Sequence, residues 1–235
     1  MRLDRFLSEC GICSRKDAAK AAAKGTISVN GAVVKDRSAN IDPENDTVTF
    51  DGKPVKYSPH TYIMMNKPAG VVSSTEDRGT TVIDLLPDSI NKKDLFPAGR
   101  LDKNTVGLML ITNDGELAHF LLSPKRHVAK TYNFKVDAPL DPDDVRKLEN
   151  GVDIGFITKP AKVELKSPTE GRITITEGKY HQIRLMMHAV GTEIIFLERI
   201  SMGSLILDPA LERGSFRPLT AEELSKLKSD AKVGF

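Results

Sequence analysis

RLDRFLSECGICSRKDAAKAAAKGTISVNGAVV, residues 2–34, can be read almost residue by residue. Leu3, Phe6, Leu7 and Cys10 recur at i, i+3, i+4 and i+7, the spacing of one buried helix face, and Gly11 interrupts that stripe. Ser14-Arg15-Lys16-Asp17 has the form of a capping box and opens a second, Ala-rich helix that should end at Gly25. Thr26 to Val29 alternates like a strand, Asn30-Gly31 is hairpin chemistry, and Ala32 to Val34 returns. Thr47 to Phe50 followed by Asp51-Gly52 reads as a further strand and turn. Two short helices and a small hairpin sheet thus form a module of their own. Lys16, Lys20 and Lys24 drift only about 40° per step around the second helix and share a face with Arg15. That basic stripe is either a solvated helix face or a surface for phosphates.

Beyond this module the chain runs to 235 residues, a length that suits one large domain or two modest ones, and two is the expectation. A hydrophobic fraction of 40% and a charged fraction of 28% suffice for a packed core and exclude a disordered or collagen-like chain. No apolar run reaches the roughly 18 to 20 residues of a membrane span, and Met1 to Glu9 lacks the apolar stretch of a secretory signal. The expected compartment is therefore the cytoplasm, with no membrane partner. Lys and Arg total 34 against 32 Asp and Glu, so the basic N-terminal segment sits on a nearly neutral chain. Cys10 and Cys13 lie on or beside a helical face, which favours core thiols over a redox pair; zinc would need two further ligands, and no metal site is expected.

The stretch from Lys56 to Thr61 lacks apolar periodicity and contains Pro59, so residues 57–61 are expected to link an N-terminal domain, 1–56, to a second, 62–235. Strand-like runs dominate the second: Tyr62 to Met65, Val71 to Ser74, Gly107 to Thr112, Lys130 to Val136, Ala161 to Leu165, Arg172 to Thr176 and Ile194 to Leu197. A helix should start at Asp141-Pro142 and close at Asn150-Gly151. Another should run from about Tyr180 to Gly191 with Tyr180, Ile183, Met187 and Val190 along one side. Strands outnumber helices without regular alternation, which predicts an α+β domain on a largely antiparallel or mixed sheet.

Familiar catalytic signatures are absent: the chain has no Gly-rich phosphate loop, no G-x-S-x-G and no H-E-x-x-H. His60, His119, His127, His181 and His188 are scattered and read as surface or core residues. What stands out is Pro97-Ala-Gly-Arg-Leu-Asp102, a carboxylate on a glycine-flanked loop just ahead of the apolar strand Leu108 to Ile111. By itself Asp102 is either a turn residue binding backbone amides or a group presented to a cleft.

Two resemblances bear on these alternatives. Residues 2–34 resemble the S4 RNA-binding domain, which implies RNA held through phosphate contacts by Arg15, Lys16, Lys20 and Lys24. GRLDKNTVGLMLITNDG resembles the catalytic motif of pseudouridine synthases, and MMNKPAGVVSSTED, AKTYNFKV and EGKYHQIRLMMHAVG match their RsuA-type branch in the same order. The resemblance implies that Asp102 is the nucleophile, Tyr132 the tyrosine that meets the target base, and Arg184 the cation beside the aspartate. It also implies that Arg100, Lys67 and Lys179 meet RNA. Arg184-Leu185 departs from the Lys-Arg of close relatives, keeping the first charge and losing the second. The implied activity is isomerisation of one uridine in small-subunit ribosomal RNA by a monomeric enzyme that uses no cofactor, because the reaction conserves atoms and oxidation state. A large-subunit target, or a noncatalytic S4-type assembly factor, are the alternatives.

Overall fold

The computed structural model describes residues 1–43, 45–55, 57 and 60–232, with side chains up to 230. These fall into two compact units: residues 1–60 with 88–91, and residues 61–87 with 92–235. The division at 60 and 61 lies inside the expected linker, of which Ser58 and Pro59 are outside the described residues. Grouping of 88–91 with the first unit departs from the expectation of two uninterrupted segments, because no local pattern marks that excursion.

In the first unit, α1 (Leu3–Glu9) buries Leu3, Phe6 and Leu7. Helix α2 (Arg15–Lys24) is capped by the Ser14 side chain, which accepts from the Asp17 N–H, and ends at Gly25 in the left-handed region. The Asp17 carboxylate accepts from the Ser14 hydroxyl at 2.6 Å, so the cap uses one half of the expected reciprocal box. Strands β1 (Ile27–Val29), β2 (Ala32–Val33), β3 (Val48–Phe50) and β4 (Lys53–Val55) form an antiparallel sheet in the order β2-β1-β3-β4. Asn30-Gly31 takes positive φ at both positions, as a two-residue hairpin turn requires. Ile27 and Val48 turn inward onto the helices, where Cys10 and Cys13 pack half-buried, as thiols. Arg15, Lys16, Lys20 and Lys24 are all exposed, and Lys20 pairs with Asp17 at 3.2 Å.

The second unit comprises β5 (Tyr62–Lys67), β6 (Phe96–Pro97), β7 (Val106–Thr112), α3 (Gly115–Leu122), β8 (Lys130–Val136), α4 (Pro142–Asn150), β9 (Lys162–Ser167), β10 (Glu170–Ile175), α5 (Gln182–Ala189), β11 (Ile194–Met202), β12 (Leu205–Ile206), β13 (Phe216–Pro218) and α6 (Ala221–Lys232). Among the described residues its strands form one mixed sheet ordered β13-β5-β7-β11-β8-β10-β9, with β6 on β7 and β12 on β11. Only the β11 to β7 pairing is parallel. Strand β7 is buried at every position, as expected of a central strand covered on both faces. Leu108 and Leu110 pack beneath Leu117, Leu121 and Leu227 of α3 and α6, joined by Met64 and Met202.

Three expectations need correction. Val71 to Ser74 is not a ladder strand but an isolated bridge, Val72 to Thr81, in which the Val72 N–H donates to the Thr80 carbonyl and its carbonyl accepts from the Val82 N–H. Tyr180 lies outside α5 and is 79% exposed, so it is not on the helix's buried side; Ile183 and Met187 are. Helices α3 and α6 are additions to the expected elements. The second is fastened by a complete capping box: Glu223 N–H donates to Thr220 Oγ1, while Thr220 N–H donates to the Glu223 carboxylate. Arg217 clamps the same carboxylate at 2.7 and 2.8 Å.

That clamp, with the Thr220 N–H, holds the Glu223 carboxyl down to about 2. A carboxyl lowered on folding stabilises the fold above its unfolded pKa and loses that contribution as pH falls through the folded one. Glu223→Gln should therefore cost about 1 to 3 kcal/mol at pH 7. The cost should shrink between about pH 4.5 and 2, where the wild-type carboxyl also becomes neutral. Urea unfolding across that range checks it; a penalty independent of pH would show that the clamp acts by packing alone.

Candidate active site

Asp102 sits on the loop between β6 and β7, and its backbone is secured from two directions. The Lys67 ammonium at the end of β5 donates to the carbonyls of Pro68, Asp102, Lys103 and Thr105 at 2.9 to 3.2 Å. Ser73 Oγ donates to the Leu101 carbonyl at 2.8 Å and accepts from the Leu101 N–H at 3.1 Å. The turn closes on itself through Thr105 N–H to the Asp102 carbonyl at 3.0 Å. Gly107 follows with φ +99°, and a Cβ there would lie 2.3 Å from the Arg199 carbonyl oxygen, so glycine is what lets β11 approach β7. Arg199 pairs with Gly107 on one side and with Tyr132 of β8 on the other, which sets loop, strand and tyrosine in one row. A register shift between Arg199 and Ser201 lies beside that row.

The row floors an open cleft of about 600 Å³. Asp102, its side chain 28% exposed, accepts from Arg184 Nε at 3.3 Å on Oδ2, and His181 Nε2 lies 3.5 Å from Oδ1. Thr105 Oγ1 reaches Oδ2 at 3.5 Å. Arg184 divides its guanidinium, giving Nη1 to the Ile194 carbonyl at 3.3 Å, so the fork holds the aspartate to the first residue of β11 instead of gripping it with both arms. Asp102 is the one acid among the described residues lining the cleft, against Arg100, Lys103, Lys130, Lys179, Arg184 and Arg199. Burial, reinforced by the Arg199 charge, pushes the Lys130 ammonium down to about 8. Such a cleft draws in a polyanion and presents one carboxylate to it.

Of the residues singled out from sequence, Asp102, Tyr132, Arg184, Arg100 and Lys179 come together on this cleft. Tyr132 is 7% exposed and faces inward, while Arg100 and Lys179 are exposed at the rim. Lys67, expected at the RNA, is instead 0% exposed with its ammonium committed to four carbonyls, a position from which it supports the Asp102 loop. Sequence reasoning missed Lys130, Arg199 and His181. Lys130 was within reach, since it stands two residues before Tyr132 on a strand and hence on the same face. Nothing local announces His181, which takes φ +51° as the residue before α5 and so swings onto the aspartate.

The profile of the RNA pseudouridylate synthase family matches residues 61–189, and that of the S4 domain matches residues 1–48. A Bacillus subtilis relative named uncharacterized RNA pseudouridine synthase YtzG is 49% identical over 97% of this chain and 98% of its own length. The chain belongs to the RNA pseudouridylate synthase family. Ribosomal small subunit pseudouridine synthase A of Escherichia coli K12 is 38% identical over 97% of this chain and all of that protein, and its Yersinia pestis counterpart is 40% identical. A solved structure titled "Crystal structure of pseudouridylate synthase" superposes with a TM-score of 0.69 at 35% identity, covering 97% of this chain and 99% of that one. This pseudouridine synthase of the RsuA type is accordingly an isomerase with an N-terminal S4 domain. Among its described residues, no helix is long and apolar enough to cross a membrane.

Proposed function

We propose that the enzyme converts one uridine of small-subunit ribosomal RNA to pseudouridine with Asp102 as nucleophile. The observation that carries this reading is the isolation of Asp102 as the single acid of a cation-lined cleft, braced by Arg184 and His181. A carboxylate in a partly desolvated cleft needs cations at hand to remain charged, and a charged carboxylate is what attacks. The small-subunit target is supported by the full-length likeness to relatives named for that substrate.

The isomerisation balances internally. The bond from N1 to the sugar carbon breaks, the uracil turns, C5 bonds to the same carbon, the C5 proton leaves, and N1 gains a proton. Asp102 adds either to the sugar carbon, displacing N1, or to the base ring; in the first case C5 displaces the carboxylate from the sugar carbon, in the second the carboxylate is eliminated from the ring, so the aspartate is regenerated in both. Tyr132, inside the cleft, offers a face for the uracil to stack on and a hydroxyl that can take part in removing the C5 proton. A uridine stacked in a helix hides both atoms, so it must be extruded at a cost of a few kcal/mol, which exposed Arg100 offsets by filling the vacancy. Pseudouridine mapping in ribosomal RNA from cells lacking the protein tests the assignment. One small-subunit site should lose its modification and regain it with wild type but not with Asp102→Asn. Loss at a large-subunit site instead would move the target, and no loss anywhere in ribosomal RNA would overturn the substrate.

The exposed stripe on α2 is assigned to substrate affinity. Replacing Lys16, Lys20 and Lys24 by Ala should raise KM and flatten the salt dependence of RNA binding by about 0.9 or less per lost phosphate contact. Binding titrations at several ionic strengths measure the slope. An unchanged slope would return the stripe to a solvated face.

A further inference from the structure

Tyr180 is the most exposed large hydrophobic side chain among those described, at 79%, yet it stands on the lining of the catalytic cleft. Its ring is not adrift. It lies against the His181 imidazole with centroids 3.8 Å apart and planes 15° from parallel, and His181 in turn reaches Asp102 at 3.5 Å. The backbone beneath the pair is tied down by Gln182, itself buried. Gln182 Oε1 accepts from the Lys179 N–H at 2.9 Å, and its amide donates to buried Glu177 at 2.6 Å. Glu177 also accepts from the Lys159 N–H at 2.9 Å. An aromatic ring stacked on one neighbour while burying almost nothing adds little to folding, and its outer face is open to something that arrives from outside.

We propose that Tyr180, stacked on His181, is the platform for the base of a nucleotide flanking the target uridine, making it a specificity-determining residue of the proposed reaction. Tyr132 is 7% exposed and occupies the interior of the cleft, where the extruded uracil belongs. Tyr180 is at the rim, where the strand must continue. Exposed Lys179 and Arg100 on the same lining supply charge for the phosphates on either side. Single-stranded RNA is read by aromatic rings that receive splayed bases, and neighbouring cations hold the backbone, which is the arrangement found here.

The proposal rests on the reading of the cleft as a pseudouridine synthase site, and two assays separate their fates. In the first, tritium release from a small-subunit rRNA transcript carrying uridine labelled at C5 gives kcat and KM. Tyr180→Ala should raise KM about ten-fold with kcat within two-fold, and Tyr180→Phe should match wild type, since stacking needs the ring and not the hydroxyl. In the second, an oligouridylate of about twelve nucleotides with one central 2-aminopurine is titrated with each protein. Wild type and Tyr180→Phe should quench the fluorescence by stacking, and Tyr180→Ala should not. An unchanged KM together with undiminished quenching in Tyr180→Ala would overturn the platform, as would a Tyr180→Phe protein as impaired as Tyr180→Ala. Quenching lost in Tyr180→Ala while wild type releases no tritium would sustain the platform and refute the enzymatic reading instead.

Discussion

Asp102→Asn is expected to lose at least roughly 10³-fold in turnover while binding RNA as well as wild type or better. The amide keeps the shape of the carboxylate and the loop that presents it, because Lys67, Ser73 and the Thr105 N–H hold the loop by its backbone, and the amide oxygen can still accept from Thr105 Oγ1. What disappears is the one negative charge of the cleft lining, and with it both the nucleophile and the repulsion of incoming phosphates. Tritium release measures the first effect and equilibrium binding to an rRNA transcript the second. Appreciable turnover by the purified variant would remove Asp102 from the chemistry. Weakened binding with retained turnover would make the aspartate a structural residue of the loop.

Lys67→Met should damage the enzyme almost as much, through position and not through chemistry. Methionine fills the volume but leaves the Pro68 and Thr105 carbonyls without the ammonium that now meets them, and it weakens the turn at Asp102 and Lys103. Stripping the charged donor from buried acceptors costs about 2 to 4 kcal/mol. The charge is itself held at a cost, since burial, opposed by the neighbouring Asp102, draws its pKa down to about 8. A loop displaced by about 1 Å costs roughly 10² in rate, so kcat should fall by about that factor with little change in KM. Urea unfolding and tritium release on the same preparation check both halves. A raised KM with undiminished stability would instead restore Lys67 to the RNA-contacting role that sequence alone had implied.

The N-terminal module shows how far local chemistry carries. The stripe Leu3, Phe6, Leu7, the cap at Ser14, the stop at Gly25 and the turn at Asn30-Gly31 are each decided within a few residues, and each stands in the structure as expected. Helix α6 was equally legible, since Thr220-Ala-Glu-Glu223 is a capping-box sequence ahead of Leu224 and Leu227. Helix α3 was not: Asp114-Gly115 reads as turn chemistry, and an eight-residue helix is too short for its period to register. Val71 to Ser74 has strand composition, but its backbone meets only the Thr80 to Val82 segment in a single bridge, a pairing that strand composition does not encode.

The cleft divides along the same line. Sequence by itself determined the α+β class, the local elements and, through four ordered motifs, the family and the aspartate on its glycine-flanked loop, since these depend on residues adjacent in the chain. Tertiary structure alone decided which side chains surround that aspartate. Lys67 binds carbonyls 35 to 38 positions away, Arg199 donates to Leu108 from 91 positions away, and Arg184 meets Asp102 across 82. Those meetings depend on strand order and register, which are set by how nine strands share one buried core and not by any window of sequence. The same physics moved Lys67 from the RNA surface to the interior and brought His181, with Tyr180 upon it, to the nucleophile.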